Sequence, residues 1–168
     1  MTIDIYAADE QHDHEIDLER WTTLALGALT DEGVRGLAEV SLIFADEVTI
    51  ADLNQQFMGK AGPTDVLSFP IDGDPEPSGR VPDAGGSGPG EPPAQEIPQL
   101  IGDVVLCPAV AARNAVEHEV SFDDEVALLI VHGILHLLGW DHAEDEEAER
   151  MEARERELLT RHYRSEAS

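Results

Sequence analysis

Cysteine occurs once in this chain, at Cys107, which excludes an internal disulfide and fits a reducing compartment. Lysine also occurs once, at Lys60, and basic residues number 10 against 36 acidic ones, for a formal net charge of −26. Proteins that grip nucleic acid broadly carry basic patches, so this balance weighs against a wide phosphate-binding surface. Long apolar runs are missing too. The nearest approach, Val126 to Leu138, is broken by His132, Gly133 and His136 and is too short for a membrane span of about 20 residues. The opening Met1-Thr2-Ile3-Asp4-Ile5-Tyr6 has neither the basic nor the apolar region of a secretion signal. A soluble cytoplasmic protein with no membrane partner is expected. At 168 residues, a single domain over 1–168 is long enough to bury a core without covalent staples.

Much of the acidic excess lies between Asp141 and Glu157, where Glu144, Asp145, Glu146, Glu147, Glu149, Glu152, Glu155 and Glu157 alternate with Arg150, Arg154 and Arg156. Glu146–Arg150 and Glu152–Arg156 are four apart and support a helix. The segment reads as a charged, solvent-facing outer face. Residues 72–98 are biased differently: they hold seven of the ten prolines, with glycines at 73, 79, 85, 86, 88 and 90. Such a stretch buries too little apolar surface to offset its ordering entropy. It reads as a mobile surface loop between two strands that still pair, serving as a spacer or a substrate-guiding flap.

The remaining periodicities give four strands and five helices, an α+β chain with a small mixed sheet. Strands are expected at Ile3–Ile5, Ala38–Phe44, Val66–Phe69 and Asp103–Leu106. Ile16, Leu18, Trp21, Leu24, Leu26 and Leu29 space an amphipathic helix over about residues 15–30. A short helix runs from about Glu47 to Phe57 and yields to Gly59 and Pro63. Pro108 suits the first turn of another, having no amide hydrogen to lose there. Ser121 can cap a fourth, with Asp123, Asp124 and Glu125 favourable in its first turn. Ala143 to Arg164 reads as a final solvent-facing helix.

The fourth helix carries the chemistry. His132 and His136 stand four apart, so on a helix they share a face with Cβ atoms about 5–6 Å apart. Both imidazoles then reach one zinc ion at about 2.0–2.1 Å. Gly139 can end the helix in a left-handed conformation and let His142 return as third ligand. Three nitrogen ligands leave a position open, the pattern of a catalytic zinc. Asp141 and Cys107 are the nearest candidates for a fourth ligand, with Asp141 the better candidate for supporting a ligand. Because ligation needs neutral imidazoles, metal affinity should fall as pH drops through about 6.5. His12, His14, His118 and His162 lack comparable spacing and read as ordinary surface residues.

Histidine and glycine spacing matches the metzincin protease pattern H-E-x-x-H-x-x-G-x-x-H, whose glutamate is the general base. Here that position is Gly133, which has no proton acceptor, so the usual protease route is disfavoured. A glycine inside a helix costs about 1 kcal/mol relative to alanine. It implies close packing of another element, or room for substrate, beside the metal.

The segment His132-Gly133-Ile134-Leu135-His136-Leu137-Leu138-Gly139-Trp140-Asp141-His142 resembles the signature of the YbeY family, bacterial metal-dependent endoribonucleases of ribosomal RNA maturation. Two further stretches resemble the same family in the same order: Pro63-Thr64-Asp65-Val66-Leu67-Ser68-Phe69-Pro70 and Gly102-Asp103-Val104-Val105-Leu106-Cys107. With Leu53-Asn54 they carry the resemblance over about residues 40–145. It implies a small α+β fold, one zinc ion on three histidines, and trimming of the 3′ end of small-subunit ribosomal RNA. The implied partners are that RNA precursor and proteins of the small ribosomal subunit. The family commonly places arginine before a glycine shortly after the asparagine, and here Met58 precedes Gly59. Lys60 offers a point charge in its stead, though not the arginine's fork, and Arg113 is another possible phosphate partner.

Phosphodiester cleavage in single-stranded RNA is the function these residues favour. Zinc would polarise a phosphate oxygen or lower the pKa of water toward about 7. Asp65 and Asp141 are the candidate bases, with the substrate's own 2′-hydroxyl as an alternative nucleophile. Asp65 and Ser68 have an equally good structural reading, shaping a turn and satisfying a strand end. Two other functions stay open. One is a ribosome-assembly factor with a stabilising zinc, which Met58 favours. The other is a zinc hydrolase of peptides or small molecules, which Gly133 disfavours.

Overall fold

Residues 2–34, 37–70, 99–140 and 144–164 are described by the computed structural model. In chain order the elements are β1 (Thr2–Asp9), α1 (Leu18–Asp31), β2 (Leu37–Phe44), α2 (Glu47–Leu53), β3 (Val66–Pro70), β4 (Gln99–Leu106), α3 (Pro108–His118), α4 (Phe122–Leu137) and α5 (Asp145–Leu159). The strands form one mixed sheet in the order β1-β2-β4-β3. β1 and β4 run parallel to β2, and β3 runs antiparallel to β4 with Val66 opposite Leu106 and Pro70 opposite Gly102. This is the expected α+β architecture. The strands on either side of residues 72–98 do pair, while the biased stretch between them lies outside the described residues.

Alternation along the strands divides the core between two faces. Ala38, Val40, Leu42 and Phe44 of β2, with Val104 and Leu106 of β4, join a large cluster with Trp21, Leu24 and Leu29 of α1 and most of α4. Leu67, Val105 and Cys107 face the other way and pack on Ile50 of α2. Strand β4 starts at Gln99, four residues before the expected Asp103. Its register against β2 shifts between Glu39 and Val40, and the irregularity hides the pattern from a period-2 search.

Helix α4 is the hub, packing against α1, α3, α5, β3 and β4. Ser121 caps it by accepting from the Asp124 amide at 3.0 Å. Instead of one core-facing stripe, α4 is buried on most of its circumference, including Val126, Ala127, Ile130, Val131, Ile134 and Leu135. Five neighbours leave only a narrow strip for the histidines.

Two expectations are corrected. The helix from Glu47 leaves α-geometry at Leu53 and continues as a π-helical turn over Asn54–Met58. Asn54 is buried there and donates to the Gly62 carbonyl at 3.0 Å. The last helix is not merely solvent-facing. Met151, Glu155, Leu158 and Leu159 of α5 are buried, a stripe at three- and four-residue spacing that the surrounding charges conceal in the sequence. A further π-helical turn, Thr160–Arg164, follows and brings Tyr163 into the core. No helix among the described residues is long and apolar enough to cross a membrane.

Candidate active-site cleft

A cleft of about 560 Å³ opens where β3, α3, α4 and α5 meet. Its lining includes His132, His136, Glu155, Glu125 and His118, together with Asp65, Ser68 and Met58.

The α4 geometry brings His132 and His136 together as their spacing requires. Their Nε2 atoms are 3.1 Å apart and the rings cross at 81°. Each ring's other nitrogen is engaged by an acceptor. His132 Nδ1 lies 2.6 Å from Glu155 Oε2, and His136 Nδ1 lies 3.1 Å from the Trp140 carbonyl. A carbonyl only accepts, and so does an ionised carboxylate. Nδ1 therefore carries the proton in each neutral ring, and the two Nε2 lone pairs converge. Two nitrogens bound tetrahedrally at about 2.0–2.1 Å stand about 3.3–3.4 Å apart, close to the separation seen. The donor set fits a zinc ion. His142 and Asp141 lie outside the described residues, and the described residues alone contain no group of three metal-binding side chains.

A Schellman turn sets the second of these contacts. Gly139 takes φ 99°, its amide donates to His136 O at 3.1 Å, and the Trp140 amide donates to Leu135 O at 3.0 Å. That reversal folds the Trp140 carbonyl back onto His136. Trp140 is itself anchored, donating from Nε1 to Glu32 at 2.9 Å, and the same buried carboxylate pairs with Arg154 of α5. Glu32 thus ties the turn after α4 to α1 and α5.

Gly133 sits between the two histidines where β4 crosses closest. A Cβ there would stand 2.9 Å from Val104 Cγ1 and 3.3 Å from Ser68 Oγ. Close packing is therefore the reason for this glycine, and there is no volume for a glutamate. Ser68 donates from Oγ to the Gly133 carbonyl at 2.9 Å, bonding β3 to the helix that carries His132 and His136.

Asp65 lines the cleft and also shapes its turn. One carboxylate oxygen accepts from the Val66 amide at 2.8 Å and the other from Asn114 Nδ2 at 3.1 Å. Met58, in the position where the resemblance leads one to expect arginine, does line the cleft. Lys60 is exposed and Arg113 pairs with Glu47 at 2.8 Å, and neither contributes to the lining. Cys107 is buried at the start of α3 with its thiol pushed up by desolvation, away from the cleft lining.

Sequence reading missed Glu155 and the pair His118–Glu125. Among the interleaved acids Glu155 reads as solvated, yet it stands four residues after Met151 and three before Leu158, in the buried stripe. Glu125 does lie in the first turn of α4, where its charge suits the dipole, but its burial and partner are not visible from that position. It is in fact 3% exposed and lies 3.0 Å from His118 Nδ1. His118, counted as an ordinary surface residue, is 55% exposed but belongs to the cleft wall.

Comparison with known proteins identifies the family. The family model described as Endoribonuclease YbeY matches residues 6–163. An Endoribonuclease YbeY of Salinispora tropica is 47% identical over 146 residues, covering 86% of this chain and 87% of the relative. That of Thermobifida fusca is 44% identical over 149 residues, covering 89% and 88%. Among solved structures, the solution structure of TM1509 from Thermotoga maritima superposes with a TM-score of 0.56 at 26% identity, covering 98% of this chain and 93% of that one. With the fold, the paired histidines and these relatives in agreement, the chain belongs to the YbeY endoribonuclease family.

Proposed function

We propose that this chain is a zinc-dependent endoribonuclease that cleaves single-stranded RNA in the cytoplasm, matures the 3′ end of small-subunit ribosomal RNA, and meets that RNA among small-subunit ribosomal proteins. The observation that carries the metal reading is the convergence of His132 Nε2 and His136 Nε2 at 3.1 Å with both Nδ1 atoms held by acceptors. His142 completes the proposed ligand set of one ion. Family membership supports the ribonuclease reading.

Zinc bound there supplies Lewis acidity toward a phosphate oxygen and a lowered pKa for water. The chain's own residues orient and exclude. Glu155 and the Trp140 carbonyl hold the rings in the tautomer that ligates. Asp65 is the candidate base in the cleft lining, with Asp141, next to His142 in sequence, the alternative. Lys60 and Arg113 are left roles in approach rather than contact, because neither lines the cleft. Preference for single strands is supported by Phe57, 61% exposed beside Met58 and edge-on to Phe69 at 5.3 Å, since an exposed ring offers an unpaired base a stacking surface.

The test is purified protein on single-stranded RNA, structured RNA and casein, with and without chelator, alongside His136→Ala. Cleavage confined to single-stranded RNA and lost in both treatments is the expected result. Casein cleavage alone would overturn it. Tight RNA binding without cleavage would instead establish an assembly factor with a stabilising zinc, the reading that Met58 in the cleft favours.

A further inference from the structure

No lysine or arginine lines the cleft among the described residues, yet its proposed substrate is a polyanion and the chain carries a net charge of −26. Apart from His132 and His136, the side chain of the lining that can carry positive charge is His118. It closes the last turn of α3, where a cation is favoured by the helix dipole. Its Nδ1 lies 3.0 Å from Oε1 of Glu125. That bond leaves Nε2, on the opposite edge of a half-exposed ring, as the atom a ligand in the cleft can reach.

Glu125 is the unusual partner. A carboxylate that is 3% exposed is costly unless a cation or strong donors compensate it, and the partner it has is an imidazole at the cleft wall. Glu125 raises the pKa of His118, first by the hydrogen bond and then by its charge. Desolvation opposes this, while Glu117 on the same helix and Asp65, bonded to Asn114 one turn earlier on that helix, add to it. Seven residues separate Glu125 from His132, about 10.5 Å along the helix, so this end of the cleft lies beside the paired histidines rather than on them.

We propose that His118, oriented by the buried carboxylate of Glu125, is the cationic residue of the cleft that binds a phosphate flanking the scissile one in single-stranded RNA. This assignment rests on the endoribonuclease reading and supplies the phosphate contact that Met58 cannot make. Recognition is by a charge-assisted hydrogen bond from Nε2–H to a phosphate oxygen.

Fluorescence anisotropy of zinc-loaded protein with a labelled 2′-O-methyl single-stranded oligoribonucleotide tests it, between pH 6 and 9, with zinc content measured in parallel. Wild-type affinity should fall as pH rises through the raised pKa of His118. His118→Ala should weaken binding about tenfold at the acidic end, abolish that pH dependence, and flatten the salt slope by about 0.7. His118→Arg should restore affinity without the pH dependence, which a purely structural histidine would not allow. Zinc content should be equal in all three. An unchanged affinity and salt slope in His118→Ala overturns the assignment alone. A wild-type protein that binds no RNA overturns the endoribonuclease reading and this assignment with it.

Discussion

His132 and Glu155 meet at 2.6 Å across 23 residues of sequence, from two different helices. The carboxylate fixes the imidazole's tautomer and orientation, as carboxylates behind metal-binding histidines do. Glu155→Gln keeps the shape but loses the charge, and zinc affinity should fall about 10–100-fold. Competition against a chromogenic chelator measures it, with circular dichroism to verify the fold. Unaltered zinc affinity would mean that Glu155 only fills space.

Gly133→Ala sets two effects against each other. Helix propensity favours alanine by about 1 kcal/mol. The new methyl would stand 2.9 Å from Val104 Cγ1, and Val104 is fully buried in the sheet with nowhere to yield. Overpacking of this kind costs about 1–3 kcal/mol, so a net loss of stability is expected. A lower urea midpoint with an unchanged m-value is the readout. A higher midpoint would refute the close-packing account.

Met58→Arg should tighten RNA binding and steepen its salt slope by about 0.7, the value of one added phosphate contact on a single strand. Met58 is 44% exposed in the cleft wall, so the substitution displaces no core atom. The wild-type slope should itself be shallow, because few cations face the substrate. A wild-type slope worth about six or more released counterions would contradict the cleft as described.

Alkaline stability should report Tyr163. Burial, then the hydrogen bond to Asp124 at 2.7 Å, pushes its pKa up to about 12. A group whose folded pKa is raised stabilises fully below its unfolded value and loses that contribution as pH climbs toward the folded one. Thermal unfolding should therefore fall off between pH 10 and about 12. Tyr163→Phe should be less stable at neutral pH and lose less over that window. Parallel curves for the two proteins would rule this linkage out.

Strong local patterns were legible because their causes are local. Ser121 caps the helix that follows it, and Gly139 reverses the chain after α4. The i, i+4 histidines share a face wherever the helix is placed. Less was legible where the cause is distant. The full length of β4 depends on its register against β2, and the acidic segment of α5 conceals a buried stripe.

By itself the sequence determined that two imidazoles would converge, that a glycine would sit between them, and that the chain would turn back at Gly139. All three follow from spacing on one helix and the conformations open to glycine. Only the tertiary structure decided which acids face solvent and which are buried against a partner. Glu155, Glu125 and Glu32 look like their many acidic neighbours in the sequence, because a carboxylate's role is set by its burial and its partner. Those partners, His132, His118 and the pair Trp140 and Arg154, come from other elements and meet only when the helices pack on the sheet.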